Sequence, residues 1–411
     1  MTKKIYILGG YQTDFAQNWL RNGLDLFDAF KDTVHKGLEE VKLSPHEIDV
    51  AHVGNFTAEL FCSQGHLGAF FSASDPAFYG IPASRHEAAC ASGSIATLAA
   101  TSEIESERYG LAAVIGIEQM RNVSGEEAAQ NIGGPAMWSG HECQDVDFPW
   151  PYIFSELTNE YDKRYGIDQK YLSRIAEINF SNAKKNPNAQ TRNWSFTENS
   201  FKNHDKENPV IEGNTRKMDC GQITDGAAII FLASEERAKE YAKSRNIDME
   251  KIPRIKGWGH KTGPITYQEK IDYSQDKEYI FPHVKEAIDN ACFRAGFNGV
   301  KDIDGIETHD CFTSTEYMAI DHFGITKPGE NWKAIESGEI EIDGSIPINP
   351  SGGLIGLGHP VGATGVRMLL DCFKQCTNTA GDYQINDAKN FATLNIGGSA
   401  TTVVSFIVGT S

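Results

Sequence analysis

A helix–turn–strand unit occurs twice in this chain, and that recurrence restricts the fold more than any other feature of the sequence. In the first copy, Phe27, Phe30, Val34, Leu38 and Val41 fall on one face at helical spacing. Ser44-Pro45 stops that helix, and a strand is expected over 48–56. In the second copy Val284, Ile288, Ala291 and Ala295 form the stripe, Gly296 to Gly299 break it, and a strand is expected over 303–312. Both strands open on Ile-Asp and close on Phe. Two further pairs recur in the same order. Gly93 and Gly362 each sit at a small-residue turn into a helix, and Gly226 and Gly397-Gly398 each lead into a buried strand. Ordered matches of this kind mark an internal duplication. A first strand over 4–8 and the alternation of strands with helices give an α/β class with helices packed on the sheets.

The two copies are unequal. Gly93 and Gly226 are 133 positions apart, whereas Gly362 and Gly398 are 36 apart, so the first half carries about 97 extra residues, assigned to 121–219. The expected organisation is therefore 1–120 with 220–250 as one half, 121–219 as an inserted lid, and 251–411 as the other half. The lid holds Trp138, Trp150 and Trp194, and between Tyr161 and Lys217 it has 11 Lys/Arg against 7 Asp/Glu in a chain of net charge −18. A local cationic surplus fits either ordinary surface variation or a lid that meets an anionic ligand. The overall acidity argues against binding to nucleic acid or to an anionic membrane. No apolar run reaches the length of a membrane span. No secretory signal is read at the start of the chain, so the eight cysteines are taken as reduced thiols and the compartment as cytoplasmic.

Cys90 lies in His86-Glu87-Ala-Ala-Cys90-Ala-Ser-Gly93-Ser-Ile, just ahead of a small-residue helix. A cysteine there has unpaired N–H groups and the helix dipole to favour its thiolate, and small neighbours leave room for a thioester. A buried core cysteine is the plain alternative. His359 lies in a loop with six glycines between 352 and 365, held between Gly358 and Pro360. Neither a Gly-Lys-Ser/Thr nor a strand-then-helix dinucleotide context accompanies those glycines, so both nucleotide motifs are rejected. A rigidly held imidazole is what proton transfer to a thiol needs. His309-Asp310-Cys311-Phe312 closes the second repeat's strand, and Asn395 precedes the Gly397-Gly398 turn. His309, Cys311 and His359 are of metal-ligand type, but no ligand spacing supports a metal, and none is expected. Glu118 ends another apolar strand, where packing explains it.

Taken together and in this order, Cys90, the His309 tetrapeptide, the Gly-His359-Pro loop and the Asn395 turn resemble the thiolases. The similarity is greatest to the sterol-carrier-protein type, which carries His-Asp-Cys-Phe where most thiolases have Asn-Glu-Ala-Phe, and Asn-x-Gly where most have Cys-x-Gly. Gly352 to Arg367 is its most specific segment, and Asn186 to Gln190 in the lid also fits. The resemblance implies two similar halves in five layers, αβαβα, with a loop domain inserted. It implies Cys90 as the acyl-carrying nucleophile, His359 as the group that takes its proton, and His309 at the oxyanion position. Asn395 would stand where most thiolases place a proton-transferring cysteine. An amide cannot act as an acid or base at neutral pH, so Cys311 becomes the substitute.

The implied reaction is acyl transfer between cysteine and CoA, cleaving a 3-oxoacyl-CoA or condensing in reverse. CoA and acyl-CoA act as substrates, with no permanently bound cofactor. A homodimer or dimer of dimers is the family expectation, and a small acyl-CoA-binding partner protein is compatible with it. Two alternatives stay open, a decarboxylating ketoacyl synthase and a non-catalytic thiolase-like subunit. Gln12-Thr13-Asp14-Phe15 departs from the usual Arg-Thr-Pro-Phe, and the acidic segment 140–148 matches no pattern, so the acyl group is not set by sequence.

Overall fold

The structure is a computed structural model and describes residues 3–410. Its main sheet has strands β1 (Ile5–Gln12), β2 (Val50–Gly54), β3 (Ala83–His86) and β4 (Leu111–Glu118), with a small hairpin β5 (Val210–Glu212) and β6 (Thr215–Arg216) standing apart. The sheet continues with β7 (Gly226–Ser234), β8 (Arg254–Thr262), β9 (Gly305–Thr308), β10 (Asn390–Gly397) and β11 (Thr402–Gly409). The order is β3-β2-β4-β7-β1-β8-β11-β10-β9. Beyond β9, Ile306 forms a parallel bridge with Ile348. With that bridge as the last position, the pattern of parallel and antiparallel neighbours is the same read from either end. The duplication is thus visible as a pseudo-twofold. Its axis lies at the short β1–β8 seam, where Ile5 faces Ile255 and Tyr6 faces Arg254. The bridge stands where the first half has β3; Pro347 supplies only a carbonyl there, which keeps that edge from growing into a ladder.

Helices cover both faces. Leu26–Val41 and Glu235–Arg245 pack outside the first half, Pro282–Ala295 and Thr313–His322 outside the second, and Ser92–Glu105 with Val361–Cys376 lie between them. The first helix starts where the Asp25 carboxylate accepts from Asp28 N at 2.8 Å, buries Phe30, Val34, Leu38 and Val41, and stops at Lys42 in the left-handed region. Its counterpart buries Val284, Ile288 and Ala291 and stops at Gly296, φ 78°. The expected strands were too long at both ends. Instead of running through Phe56, the chain leaves β2 at Gly54, because Asn55 donates to the Ile117 carbonyl and Phe56 N donates to Glu118. Instead of reaching Phe312, β9 ends at Thr308, and the Asp310 carboxylate turns aside to accept from Leu354 N.

The lid segment contains helices Gly125–Gly133, Pro149–Tyr165 and Gln169–Ala183 and the β5–β6 hairpin. Although inserted in the first half, it packs on the second. Phe154, Leu157, Tyr161 and Ile175 share a core with Ile306, Phe312, Tyr317 and Met318. Several of its cations are held in ion pairs. Arg192 pairs with Asp14, Arg174 with Glu341, Arg164 with Glu160 and Arg216 with Asp205. Among lid cations, Lys217 alone lines the central cavity, so the expectation of a broadly basic face over an anionic ligand narrows to that side chain.

Candidate active site

The two middle helices meet at their N-terminal ends, and the site lies where they meet. A Cβ on Gly93 would stand 2.7 Å from the Gly362 carbonyl oxygen, and one on Gly116 would stand 2.4 Å from it. Only glycine permits that approach. It brings Cys90, just before helix Ser92–Glu105, against His359, just before helix Val361–Cys376. The turn that presents Cys90 is strained, since Ala89 has φ 50°. Ser92 holds it, its Oγ accepting from Ala88 N at 2.9 Å and donating to the Ala89 carbonyl at 2.6 Å.

One atom each from Cys90, His309 and His359 lies within 4.8 Å of the other two. The imidazole rings have centroids 5.1 Å apart and planes at 88°. Asn395, within β10, sits beneath. Its Nδ2 donates to the Cys90 carbonyl at 3.1 Å and faces His309 Nδ1 at 3.2 Å, while its Oδ1 accepts from Ser94 Oγ at 2.8 Å. An amide N–H on Nδ1 makes that nitrogen an acceptor, so a neutral His309 carries its proton on Nε2. His359 is arranged oppositely. Its Nδ1 lies 2.7 Å from Thr364 Oγ1, and that hydroxyl donates to the Pro360 carbonyl, so it accepts from Nδ1–H. His359 Nε2 is then the unprotonated nitrogen, and it is buried without any partner. One ring therefore offers a donor and the other a base. Asn395 is a holding group here, which agrees with its inability to move protons.

Burial sets the protonation. It pushes His359 down to about 3, with the Arg367 charge adding to the effect, and pushes His309 well below the imidazole range, helped by His359 and Arg367. It pushes Cys90 up to about 12, helped by Glu118 and opposed by an N–H from Gly398. The pull of the helix end toward a thiolate, expected from the sequence, is outweighed by desolvation. The resting pair is thiol and neutral imidazole. Cys311 lies close enough to be affected by the Cys90 charge, and burial, Cys90 and Asp310 raise it well above the usual thiol range.

A thiol and two imidazoles at this spacing are also a donor set for a soft divalent ion. It is not the set weighed from sequence, since Cys90 replaces Cys311. The Asn395 amide on His309 Nδ1 keeps that ring's other nitrogen protonated, which makes it a poor ligand.

Two supporting groups were missed in the sequence. Glu118, read there as packing, is fully buried, and its carboxylate accepts from Asn55 Nδ2 and from the backbone N–H of Phe56, Thr57 and Gly362; burial pushes it up to about 7 against those donors. It thereby ties β2, β4 and the His359 helix together. Arg367 donates to Glu307 at 2.6 Å, Ser351 Oγ at 3.1 Å and Asp371 at 3.1 Å, all buried, and pins that same helix to β9 and the glycine loop. In the lid, Asn186 donates to the Ser351 carbonyl and Gln190 N to the Leu357 carbonyl, bracing the loop before His359. A cavity of about 340 Å³ opens onto Cys90, His309, Cys311 and His359.

Comparison with known proteins bears directly on this geometry. The thiolase N-terminal domain model matches residues 5–198, and the thiolase C-terminal domain-like model matches 266–410. The chain belongs to the thiolase family. It is 29% identical over 405 residues to an acetyl-CoA acetyltransferase of Methanothermobacter thermautotrophicus, covering 98% of this chain and 99% of that protein. It is 25% identical over 414 residues to sterol carrier protein 2 of Rattus norvegicus, covering 99% of this chain and 72% of that protein. Among solved structures, the Ltp2-ChsH2(DUF35) aldolase superposes with TM-score 0.78 at 18% identity, covering 99% and 98% of the two chains. Human mitochondrial 3-ketoacyl-CoA thiolase superposes with TM-score 0.72 at 16% identity, covering 100% and 99%. The fold is the thiolase fold, and the family and the acetyltransferase relatives support general thiolase activity. Among the described residues no helix is long and apolar enough to cross a membrane.

Proposed function

We propose that the chain transfers an acyl group between Cys90 and CoA, cleaving a 3-oxoacyl-CoA into acetyl-CoA and a shortened acyl-CoA, or running the reverse condensation. His359 Nε2 takes the Cys90 proton, and the sulfur attacks the 3-oxo carbon. The oxygen that gains charge is met by His309 Nε2–H, a fixed donor in a dry site. The C2–C3 bond breaks, leaving an acyl thioester on Cys90 and an acetyl-CoA enolate. The Cys311 thiol gives its proton to C2. A second CoA thiol yields its proton to the Cys311 thiolate and attacks the thioester, and Cys90 leaves as a thiolate that recovers its proton from His359.

The observation that carries this reading is the opposite tautomers of His309 and His359 around one thiol. A non-catalytic subunit would have no need for an unpartnered, buried base beside a cysteine. Assembly as a homodimer belongs to the same reading. Its support is the sheet edge at β3, where Ala83 and Ser84 are exposed and the strand runs directly into the Cys90 turn. A small acyl-CoA-binding partner is included on the strength of the two-component Ltp2-ChsH2(DUF35) aldolase that shares the fold.

The test is intact-mass detection of an acyl group on Cys90 during turnover of 3-oxoacyl-CoA with CoA. Cys90→Ala abolishes both the adduct and acetyl-CoA formation. Turnover that persists in this variant overturns the assignment.

A further inference from the structure

The cavity beside Cys90 is divided chemically. Its reacting end holds the thiols and imidazoles already described, and Lys217, Cys220 and Gln222 are the other side chains with polar or thiol groups along it. The remaining wall is apolar, and one side of it is aromatic. Phe312 directly follows Cys311, stacks on Phe154 with centroids 4.6 Å apart and planes at 27°, and Phe154 in turn lies 6.2 Å from Trp150. The Trp150 indole N–H donates to the Ile132 carbonyl at 3.1 Å, which fixes the ring. Trp150 is 8% exposed and Phe154 3%. Phe148, just ahead of that helix, and Ala129 complete this side. The acidic segment that matches no sequence pattern thus ends in the residues that wall the cavity.

Such a wall does not suit the pantetheine arm. Two amides buried against aromatic rings would leave their N–H and C=O groups unpaired, at a cost that a hydrocarbon does not incur. Nor does an acetyl or acetoacetyl group need it. Cavities from about 300 Å³ upward hold drug-sized ligands, and this one measures about 340 Å³. We infer that the Phe148–Trp150–Phe154–Phe312 wall is the acyl chamber, and that it selects 3-oxoacyl-CoA substrates bearing a bulky apolar group, medium-chain or phenyl-substituted, over acetoacetyl-CoA. This rests on the thiolase reading. Burying further hydrocarbon in an apolar pocket raises kcat/KM by a factor on the order of 10–200 per methylene-sized increment until the chamber is full.

The experiment compares acetoacetyl-CoA, 3-oxooctanoyl-CoA and 3-oxo-5-phenylpentanoyl-CoA in thiolysis by the wild type and by Ala129→Phe, which narrows the chamber. The wild type favours the two larger substrates in kcat/KM by about tenfold or more. In Ala129→Phe the ratio of phenyl substrate to acetoacetyl-CoA falls by a similar factor. Equal or better use of acetoacetyl-CoA by the wild type overturns the chamber while leaving the thiolase reading intact. Calorimetric binding to Cys90→Ala gives a readout independent of turnover and of Ala129→Phe folding. There the phenyl ligand binds about tenfold tighter than acetoacetyl-CoA, and equal affinities reject the inference. A wild type that never acylates Cys90 yet shows this binding preference removes the thiolase reading alone.

Discussion

Replacing Thr364 by valine tests the proton logic of the site with little change of shape. Thr364 is fully buried, and its Oγ1 lies 2.7 Å from His359 Nδ1. Valine keeps the branched outline but removes the acceptor, which strands an Nδ1–H in a dry interior. Leaving one buried polar group unpaired costs about 1–3 kcal/mol. If that cost falls on the state in which His359 is protonated and both ring nitrogens must donate, the barrier to Cys90 acylation rises by the same amount, a slowing of roughly 5- to 150-fold. Quench-flow measurement of acyl-Cys90 formation by intact mass reads this step directly. Thr364→Ser restores the hydroxyl and returns the rate to within a few-fold of wild type. A purely structural role would lower the melting temperature without slowing acylation per folded molecule. A folded Thr364→Val protein that acylates Cys90 at the wild-type rate refutes the assignment of His359 Nε2 as the base.

Three further outcomes are expected. Cys311→Ala still forms acyl-Cys90 but loses exchange of the acetyl-CoA methyl protons with deuterated water, followed by NMR; exchange at the wild-type rate means another group moves that proton. The reacting pair is neutral between the His359 value of about 3 and the Cys90 value of about 12, so acylation loses its base only below the former and its thiol proton only above the latter. The acylation rate is therefore flat between about pH 5 and 8, and an inflection near the ordinary imidazole value of about 6.5 contradicts the burial argument. Arg367→Met leaves Glu307 and Asp371 buried without their cation and lowers unfolding stability by about 3–5 kcal/mol in urea titration; a loss under about 1 kcal/mol shows that the pair is not what holds the helix.

The duplication was legible because a helical stripe, a stop and a strand onset are local patterns, and local patterns survive folding. Strand ends were not, because Gly54 and Thr308 end their strands through long-range partners, Glu118 for one and the Leu354 amide for the other. Cys90, His309, His359 and Asn395 were each marked by an unusual setting of glycines or by a residue out of place for its strand. Nothing in the sequence could show that Asn395 faces His309 Nδ1, or that Thr364 faces His359 Nδ1, because tautomers are set by three-dimensional neighbours. The role of Glu118 is hidden for the same reason, its four donors coming from two segments far apart in sequence, 55–57 and 362. The cationic count in the lid could not choose between its two readings, because Arg174 and Arg192 meet carboxylates 167 and 178 residues away. The aromatic wall went unseen because Phe148, Trp150 and Phe154 follow no period that distinguishes a ligand surface from a core.

The glycine contacts between the two central helices have a consequence for motion. Main chain touches main chain there, with no side-chain layer to deform, so the halves cannot slide apart without breaking the turn that carries Cys90. Breathing must therefore be confined to the one segment that has no twin, and amide exchange should divide the molecule accordingly. Amides at 92–97 and 361–366 would open only with global unfolding, while those at 125–148 would exchange through local fluctuations. On that expectation the duplicated halves form the rigid jaw, and the asymmetric insertion is the part left free to move.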